Sequence, residues 1–286
     1  MLDIKKYRVR NSKNFDLSHF DTLFGGDMSK EKALSLMEKN KKKMFELQNK
    51  LYAHSKYSIL VIFQAMDTAG KDGAIRHVMT GLNPQGVSVK SFKKPTEEEL
   101  NHDYLWRHNK ALPERGHIGI FNRSYYEEVL VARVHDIVKD QLIPESLIGK
   151  DLWKVRFRQI RDYERYLQEN GIITVKFFLH ISKDEQKNRL ISRIDNEHKN
   201  WKFSEADIKE RAFWEDYQFC YQEAIANTAT RYSPWYVIPS DKKWFARFLV
   251  SEIMVSVMEE LDIDFPKIDE ETGSNLQKYR ELLLDS

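Results

Sequence analysis

The sequence predicts an α/β fold, a three-layer αβα sandwich with a parallel five-stranded sheet. From residue 57 onward, short runs of β-branched and aromatic residues alternate with longer helical patterns. Such alternation produces parallel crossovers, which place helices on both faces of a sheet. The length of 286 residues suits one domain of this kind with helical additions.

The elements can be placed in order along the chain. A helical pattern begins near Ser29 in a lysine-rich segment, and we expect residues 1–56 to form a helical extension packed on the domain. The domain itself is predicted over residues 57–265. Within it we predict strands at 58–64, 87–92, 117–121, 172–180 and 235–239. We predict helices at 71–82, 97–110, 124–139, 146–169, 183–195, 204–226 and 242–260. The polar tail, 266–286, is expected to be partly disordered.

Composition limits the class of function. Charged residues make up 31% of the chain but the formal net charge is only +2, so we expect no nucleic-acid partner, and any polyanion site must be local. Cys220 is the only cysteine, which excludes internal disulfides and fits a reducing compartment. The first residues lack the apolar segment of a secretion signal, and no run is long enough to span a bilayer. We therefore expect a cytoplasmic protein with no membrane partner.

Residues 65–73 follow the first predicted strand of the domain and carry the strongest chemical signal. A strand, a glycine-bearing turn with a lysine, and a helix form a phosphate cradle, because N–H groups at the helix start face the anion. The Walker A pattern G-x-x-x-x-G-K-[ST] is met at Gly70 and Lys71, whereas Ala65 and Asp72 depart from it. The alternative is an ordinary polar turn between a strand and a helix.

Two carboxylates in this loop, Asp67 and Asp72, indicate a divalent cation. A carboxylate repels a phosphate chain unless a cation lies between them, so we predict Mg²⁺, with Mn²⁺ as a substitute. The loop's other predicted phosphate-binding positions are Thr68, Ala69, Gly70 and Gly73.

The third predicted strand of the domain ends in Asn122 and Arg123, where phosphate-loop proteins commonly hold magnesium or its water. Ser124 and Glu127 have the spacing of a capping box, and Glu127 is also placed to reach the metal. Arg133 either reaches the site or pairs with Glu128 on the surface.

Two further basic positions are candidates. Arg189 and Arg193 lie four residues apart, on one face of a helix in the segment 182–215. This segment follows the fourth predicted strand, where phosphate-loop kinases carry a lid that closes over phosphates. The alternative is a surface helix with ion pairs such as that between Glu185 and Arg189.

The end of the second predicted strand of the domain is open to two interpretations. Phe92 and Lys93 would present a ring to a base and a charge to its phosphate. The alternative is an ordinary strand end followed by a helix cap at Thr96.

Taken together, these segments resemble the family-2 polyphosphate kinases over nearly the whole chain, to about residue 260. The resemblance rests on residues 65–73, 92–107, 121–128, 201–204 and 234–244. It implies a thymidylate-kinase-like phosphate-loop fold with a helical lid. It also implies phosphoryl transfer between inorganic polyphosphate and nucleotides with Mg²⁺.

The resemblance also implies roles for single residues. Asp67 would hold magnesium and the nucleotide phosphates, and Lys71 would bind the phosphate in transfer. The polyphosphate path would be lined by Arg123, Arg133, Arg189 and Arg193, and Lys202 would add a phosphate contact. Many members have aspartate where this chain has Asn122. The combination of Asn122 with Glu127 is similar to that of the family branch that phosphorylates both AMP and ADP. The implied metal ligands are Asp67, Asn122 and Glu127.

The leading hypothesis is therefore a polyphosphate:nucleotide phosphotransferase that converts AMP to ADP and ADP to ATP, and that also accepts guanine nucleotides. An ATP-using nucleoside monophosphate kinase of the same fold is one alternative. A polyanion-binding module without catalysis is another. We expect a homodimer or a homotetramer.

Overall fold

A six-stranded mixed sheet forms the centre of the computed structural model, which describes residues 2–11, 14–24 and 26–286. Its strands are β1 (Arg8–Val9), β2 (Ser58–Ala65), β3 (Val87–Ser91), β4 (Ile118–Asn122), β5 (Ile172–His180) and β6 (Trp235–Pro239). They are arranged in the order β1-β6-β5-β2-β4-β3. All neighbouring pairs are parallel except β1 with β6.

The prediction of a sheet of five parallel strands is therefore wrong, because the sheet has a sixth strand, β1, which is antiparallel to its neighbour. The five predicted strands are present, each within one residue of its expected ends. The sixth, β1, pairs antiparallel with β6 through Arg8 opposite Tyr236 and Val9 opposite Trp235. A strand of two residues has no hydrophobic period, so only this long-range pairing defines it.

Twelve α-helices surround the sheet in the described residues. Before β4 these are α1 (Lys30–His54), α2 (Lys71–Met79), α3 (Glu97–Leu100) and α4 (Trp106–Asn109). Between β4 and β6 lie α5 (Val131–Val134), α6 (Leu152–Glu169), α7 (Lys183–Ile194), α8 (Glu197–Asn200), α9 (Glu205–Arg211) and α10 (Trp214–Thr228). The chain ends with α11 (Lys243–Glu259) and α12 (Glu270–Leu284).

The helices cover the sheet on both faces. Every residue of β2 is buried, which requires apolar neighbours above and below the strand. One group of packed helices consists of α1, α2 and α11, and α2 and α11 also contact the sheet. A second group consists of α5, α6 and α10, of which α6 packs on β5. The segment before β2 is thus tied to the domain through the contact of α1 with α11.

Several predicted helices are interrupted. The stretch 97–110 contains two short helices, α3 and α4, and the stretch 204–226 divides into α9 and α10 at Ala212 and Phe213. The stretch 124–139 is a 3₁₀ helix (Tyr125–Val129), then α5, then a second 3₁₀ helix (Ile137–Asp140). Asp136, between the last two, has a φ of 52°, a left-handed conformation that ends a right-handed helix.

The tail also departs from the expectation of partial disorder, because residues Glu270–Leu284 form helix α12. Asp269 caps this helix by accepting a hydrogen bond from the Thr272 backbone N–H at 2.7 Å. Across the described residues, no helix combines the length and the apolar character needed to cross a membrane.

Candidate active site

The loop after β2 lies at the centre of the parallel part of the sheet. β2 is flanked by β5 and β4, and β4 ends at Asn122 beside Phe63. Ligands of parallel α/β sheets bind beyond the carboxyl ends of the strands. The architecture therefore brings the loop and the end of β4 to one edge, as the sequence predicts.

The loop folds as a cradle that opens onto the start of α2. Thr68 and Gly70 have φ angles of 63° and 111°, and the Ala69 N–H donates to the Met66 carbonyl at 3.2 Å. Glycine suits the second of these positions because a φ of 111° is strained for any other residue. Gly70 is the N-cap of α2 and supplies no side-chain cap, so the N–H groups of the first turn are available to an anion.

Lys71, the first residue of α2, lies within this cradle. Its Nζ donates to the Ala65 carbonyl oxygen at 2.7 Å. Burial lowers the pKa of Lys71, while the Asp67 carboxylate opposes this effect and Arg123 reinforces it. A phosphate at this position would supply the negative charge that favours the ammonium form.

Arg123 and two carboxylates meet beside the loop. Arg123 has a φ of 65°, and its Nη2 lies 3.4 Å from Asp67 Oδ1. Burial lowers the pKa of Arg123, but Glu127 and Asp67 outweigh burial and the pKa is raised overall. The Glu127 Oε1 accepts a hydrogen bond from Gln64 Nε2 at 2.9 Å. A left-handed backbone at a residue other than glycine often marks a functional site, and here it accompanies an arginine between two carboxylates.

The capping interpretation holds for Ser124 but not for Glu127. Ser124 is an N-cap and its Oγ accepts from the Tyr126 N–H at 3.2 Å. Glu127 is bonded to Gln64 and not to the backbone of Ser124, so the capping box is incomplete. Its carboxylate lines a cavity at the cradle instead.

The oxygens at the strand ends fit a divalent cation. Asn122 donates through Nδ2 to Asp72 Oδ1 at 2.7 Å. Within the described residues, Asn122 Oδ1, Gln64 Oε1 and Thr68 Oγ1 are buried and have no hydrogen-bond partner. Carbonyl, hydroxyl and carboxylate oxygens are the donors that Mg²⁺ accepts, either directly or through water. No preformed cluster of three or more metal-binding histidine, cysteine or acidic residues occurs within residues 2–11, 14–24 and 26–286.

Helices α9 and α10 form the opposite wall of a cavity of about 280 Å³ at the cradle. Besides Ala206, they contribute four polar side chains that the sequence did not single out, namely Asp207, Glu210, Tyr217 and Tyr221. Burial raises the pKa of Asp207, and the nearby Asp67 raises it further. No motif marks these four positions. Gln64 was detectable as a polar residue near the end of an otherwise apolar strand.

Helix α7 holds the back of the loop through its polar side chains. The Arg189 guanidinium donates to the carbonyl oxygens of Thr68 and Ala69 at 3.1 and 2.8 Å. It also donates to the carbonyls of Ser240 and Asp241 at 2.5 and 3.1 Å. The expected ion pair with Glu185 is present at 2.7 Å, but Arg189 is buried rather than on the surface. In this structure Arg189 therefore binds the loop itself.

Arg193 and Lys202 belong to the region predicted as a lid. Arg193 Nη1 lies 2.7 Å from Asp207 Oδ2 and donates to the Lys202 carbonyl at 3.1 Å. The Lys202 side chain is exposed and lies over the Trp201 ring, 4.9 Å from its centroid. Arg193 thus reaches a wall of the cavity through Asp207, whereas the Lys202 side chain is not part of that wall in the part of the chain that the structure describes.

In the described residues, Arg133 neither lines the cavity at the cradle nor pairs with Glu128. Its guanidinium lies 5.4 Å from the Trp153 ring centroid and 5.0 Å from that of Phe219. Glu128 pairs instead with Arg156 at 3.0 Å. Arg133 Nη1 is buried without a hydrogen-bond partner.

The end of β3 follows the ordinary interpretation. Phe92 is buried against His108 and Phe121, so its ring is not available to a base. Thr96 forms a complete capping box with Glu99. Lys93 is exposed.

A second and larger cavity has a volume of about 500 Å³. Glu127 lines the smaller cavity, and the next residue along the chain, Glu128, lines the larger one. Pro95, Tyr104 and Arg107 contribute to its wall. These belong to the segment 92–107, which supports the resemblance stated above.

Comparison with known proteins identifies the family. The family model for polyphosphate kinase 2 matches residues 27–266. The chain is 46% identical over 283 residues to an ADP-polyphosphate phosphotransferase of Rhodopseudomonas palustris, covering 98% of each chain. It is 45% identical over 269 residues to an AMP/ADP-polyphosphate phosphotransferase of Meiothermus ruber, covering 92% of this chain and 96% of the relative.

A solved structure agrees with these sequence matches. The crystal structure of polyphosphate kinase 2 from Arthrobacter aurescens TC1 superposes with a TM-score of 0.89 at 38% identity, covering 99% of this chain and 96% of that one. The fold, the cradle and the sequence matches lead to one conclusion: the chain belongs to the polyphosphate kinase 2 family.

Proposed function

We propose that this protein transfers phosphoryl groups between inorganic polyphosphate and nucleotides, converting AMP to ADP and ADP to ATP and accepting guanine nucleotides as well. The observation that carries the proposal is the cradle, where Lys71 and the uncapped start of α2 follow a loop whose Asp67 lines a cavity together with Arg123 and Glu127. Phosphoryl transfer depends mainly on positioning and on positive charge, and these groups supply both.

Each group has a distinct role in this proposal. The N–H groups of the first turn of α2 bind the transferred phosphate, and Lys71 neutralises the charge that develops on it. Arg123 adds a second positive charge beside the leaving and attacking oxygens. Asp67, with Asn122 and Glu127, would hold Mg²⁺, which neutralises phosphate charge when bound.

The metal role of Asp67 is tested by Asp67→Asn. A neutral amide binds Mg²⁺ more weakly than a carboxylate, so the concentration of Mg²⁺ that gives half-maximal activity should rise. Direct Mn²⁺ binding, followed by electron paramagnetic resonance, gives a readout that is independent of turnover. Unchanged titrations in both experiments would remove Asp67 from the metal site.

The larger cavity is where we place the nucleoside of the acceptor. Its volume of about 500 Å³ lies within the usual range for small-molecule sites, and Glu128 in its wall is the next residue after Glu127 in the wall of the smaller cavity. Val155 lines it, so Val155→Trp should raise the KM for AMP and ADP and leave the KM for polyphosphate unchanged. Leu276→Trp on α12 is a matched control, because Leu276 is an exposed residue outside both cavities.

One assay tests the activity as a whole. The protein is incubated with Mg²⁺ and polyphosphate, and with AMP, ADP or GDP in separate reactions, and the nucleotides are resolved by ion-exchange chromatography. We expect ADP and ATP from AMP, ATP from ADP and GTP from GDP. A parallel reaction with ATP and AMP, without polyphosphate, tests the alternative donor. Consumption of ATP without use of polyphosphate would indicate a nucleoside monophosphate kinase, and no product at all would indicate a binding module.

We also propose an organisation for the chain. Residues 1–56 would be a helical extension and residues 57–265 a thymidylate-kinase-like phosphate-loop domain of three layers. Residues 182–215 would act as its lid, and 266–286 as a polar tail. We further propose a homodimer or a homotetramer, which light scattering after size-exclusion chromatography would distinguish from a monomer.

A further inference from the structure

Gln64 is a polar residue in an otherwise apolar part of the central strand β2. Between Ser58 and Gln64 every residue of the strand is apolar, and Gln64 is fully buried. Its neighbour on β5 is Phe178, so it lies inside the parallel part of the sheet. A buried amide costs free energy unless its donor and its acceptor are both bonded. Packing of the sheet therefore does not account for a glutamine at this position.

Only the donor end of the Gln64 side chain is bonded. Its Nε2 donates to Glu127 Oε1 at 2.9 Å, whereas its Oε1 is buried and has no partner among the described residues. The other two glutamines that the structure shows to be buried, Gln48 and Gln186, use both ends of their amides. Gln64 thus makes one hydrogen bond while an unpaired oxygen stays buried beside it.

The Glu127 carboxylate depends on this bond for its orientation. Glu127 belongs to the short 3₁₀ helix Tyr125–Val129 and lines the 280 Å³ cavity. Across the described residues, the bond from Gln64 is the only hydrogen bond of its side chain. The bond holds one carboxylate oxygen, Oε1, and leaves Oε2 to bind a ligand. Without it, a glutamate side chain would occupy several rotamers.

We propose that Gln64 is a positioning residue, which holds the Glu127 carboxylate in the orientation that binds the divalent cation of the reaction. Metal-binding carboxylates are commonly hydrogen-bonded by a second residue, and loss of that residue weakens metal affinity by about 10–100-fold. A residue on the central strand suits this task because its backbone is fixed by both neighbouring strands. The inference rests on the proposed function, which assigns Glu127 to the cation.

The test replaces the amide by an apolar side chain of the same length, in Gln64→Met. Mn²⁺ affinity, measured by electron paramagnetic resonance without nucleotide or polyphosphate, should fall on the order of tenfold. The kcat/KM for AMP should fall more than that for ADP, because AMP has fewer phosphate oxygens to bind the cation in place of Glu127. The melting temperature should stay unchanged or rise, because the variant removes the buried unpaired oxygen.

A double-mutant cycle shows whether Gln64 acts through Glu127. Glu127→Gln removes the carboxylate that Gln64 is proposed to hold, so Gln64→Met should have no further effect in that background. The double variant Gln64→Met/Glu127→Gln should therefore match Glu127→Gln in Mn²⁺ affinity and in the ratio of AMP to ADP phosphorylation. Losses that multiply in the double variant would mean that Gln64 acts independently of Glu127, and would overturn the inference.

Gln48→Met is the matched control. Gln48 is a buried glutamine of α1 that donates to the Asn83 carbonyl at 2.9 Å and accepts from the Asn83 N–H at 2.8 Å. Its loss leaves both backbone groups without their partners, so the melting temperature should fall. Mn²⁺ affinity and the ratio of AMP to ADP phosphorylation should not change. The two variants thus make the same chemical change and differ in which property responds.

The outcomes separate this inference from the proposed function. If the wild type transfers no phosphoryl group from polyphosphate, the proposed function fails, and the Mn²⁺ measurements still test Gln64. Unchanged Mn²⁺ affinity in the folded Gln64→Met variant overturns the inference, whatever the activity of the wild type. A lower melting temperature with unchanged Mn²⁺ affinity, as expected for Gln48→Met, would assign Gln64 to the fold alone. A wild type that binds no Mn²⁺ would also overturn it.

Discussion

At the scale of one residue, we propose that Lys71 stabilises the phosphate in transfer. Its ammonium group lies at the first turn of α2 and donates to the Ala65 carbonyl at 2.7 Å, a bond that a phosphate would replace. Because charge on the transferred phosphate grows toward the transition state, Lys71 should stabilise that state more than the bound substrate. We expect Lys71→Ala to lower kcat by roughly a hundredfold or more, measured with polyphosphate and ADP.

The control is Lys278→Ala, which removes a lysine from the exposed surface of α12 and should keep full activity. Circular dichroism of both variants verifies the fold. Near-normal turnover of a folded Lys71→Ala protein would show that residues 65–73 are not the catalytic loop.

We expect Glu127 to influence the choice between AMP and ADP as acceptor. AMP is one phosphate shorter than ADP, so its phosphate must lie deeper in the site, where fewer phosphate oxygens are available to a metal. Asn122 has no charge there, whereas the Glu127 carboxylate faces the cavity. We expect Glu127→Ala to lower AMP phosphorylation much more than ADP phosphorylation, measured as the ratio of the two kcat/KM values.

Glu127→Gln tests the effect of the side-chain charge separately from the effect of its size and shape. It keeps a side-chain oxygen for the hydrogen bond from Gln64 and removes the charge, so it should show the same shift in acceptor ratio as Glu127→Ala. If Glu127 acts only on the local fold, both variants would change the melting temperature and leave the AMP:ADP ratio unaltered.

At the scale of elements, α7 acts as a clamp on the cradle. Arg189 joins the loop carbonyls of Thr68 and Ala69 to those of Ser240 and Asp241 after β6. Arg189→Ala would leave these carbonyls without their charged donor. We expect a loss of about 2–3 kcal/mol in the free energy of unfolding, measured by urea denaturation, and lower kcat with every substrate.

Arg193→Ala is the comparison, because Arg193 pairs with Asp207 at the cavity wall and, in the described residues, bonds to the Lys202 carbonyl and to no carbonyl of the loop 65–73. Arg193→Ala should lower the free energy of unfolding by less than Arg189→Ala does. Arg189→Lys keeps the charge but not the planar fork, so it should restore only part of the stability. A selective rise in the KM for polyphosphate in Arg189→Ala, at unchanged stability, would instead support direct phosphate contact.

The elements also show what the sequence can and cannot predict. The strands β2 to β6 were predictable because short runs with β-branched and aromatic residues alternate with longer helical patterns along the chain. The two-residue β1 exists only through its pairing with β6. The loop residues 65–73 were recognisable as a local motif. The carbonyl partners of Arg189 and the wall residues Asp207 and Glu210 come from distant segments, so no local pattern indicates them.

For the molecule as a whole, a buried ion pair ties the sheet to the second group of helices. Lys176 of β5 donates to Glu164 Oε2 of α6 at 2.6 Å, and both side chains are fully buried. The hydroxyls of Tyr125 and Tyr126 donate to Glu164 Oε1 at 2.9 and 2.8 Å. The Thr228 carbonyl of α10 accepts from Lys176 Nζ at 3.0 Å, so the network joins β5, α6 and α10.

Removal of one partner should destabilise the whole fold without altering the site. Glu164→Gln keeps an acceptor for the two tyrosines but leaves Lys176 buried without a counter-charge. We expect a loss of about 3–5 kcal/mol in the free energy of unfolding, with unchanged activity per folded molecule. The double variant Glu164→Gln/Lys176→Met removes the stranded charge and should recover much of that loss. A single variant as stable as the wild type would contradict this role of the pair.

The same variant should also change how stability depends on pH. The pKa of Lys176 is lowered to about 8, because burial lowers it more than Glu164 raises it. Loss of Glu164 should therefore lower the folded-state pKa further. Between the folded-state pKa and the higher unfolded-state pKa, the unfolded chain binds more protons, and stability therefore rises with pH. In the wild type this window begins near pH 8, whereas in Glu164→Gln it extends to lower pH. The stability gap between the two proteins should thus widen as pH falls below 8, measured by urea denaturation across the range, and a constant gap would show that Lys176 keeps its proton in both.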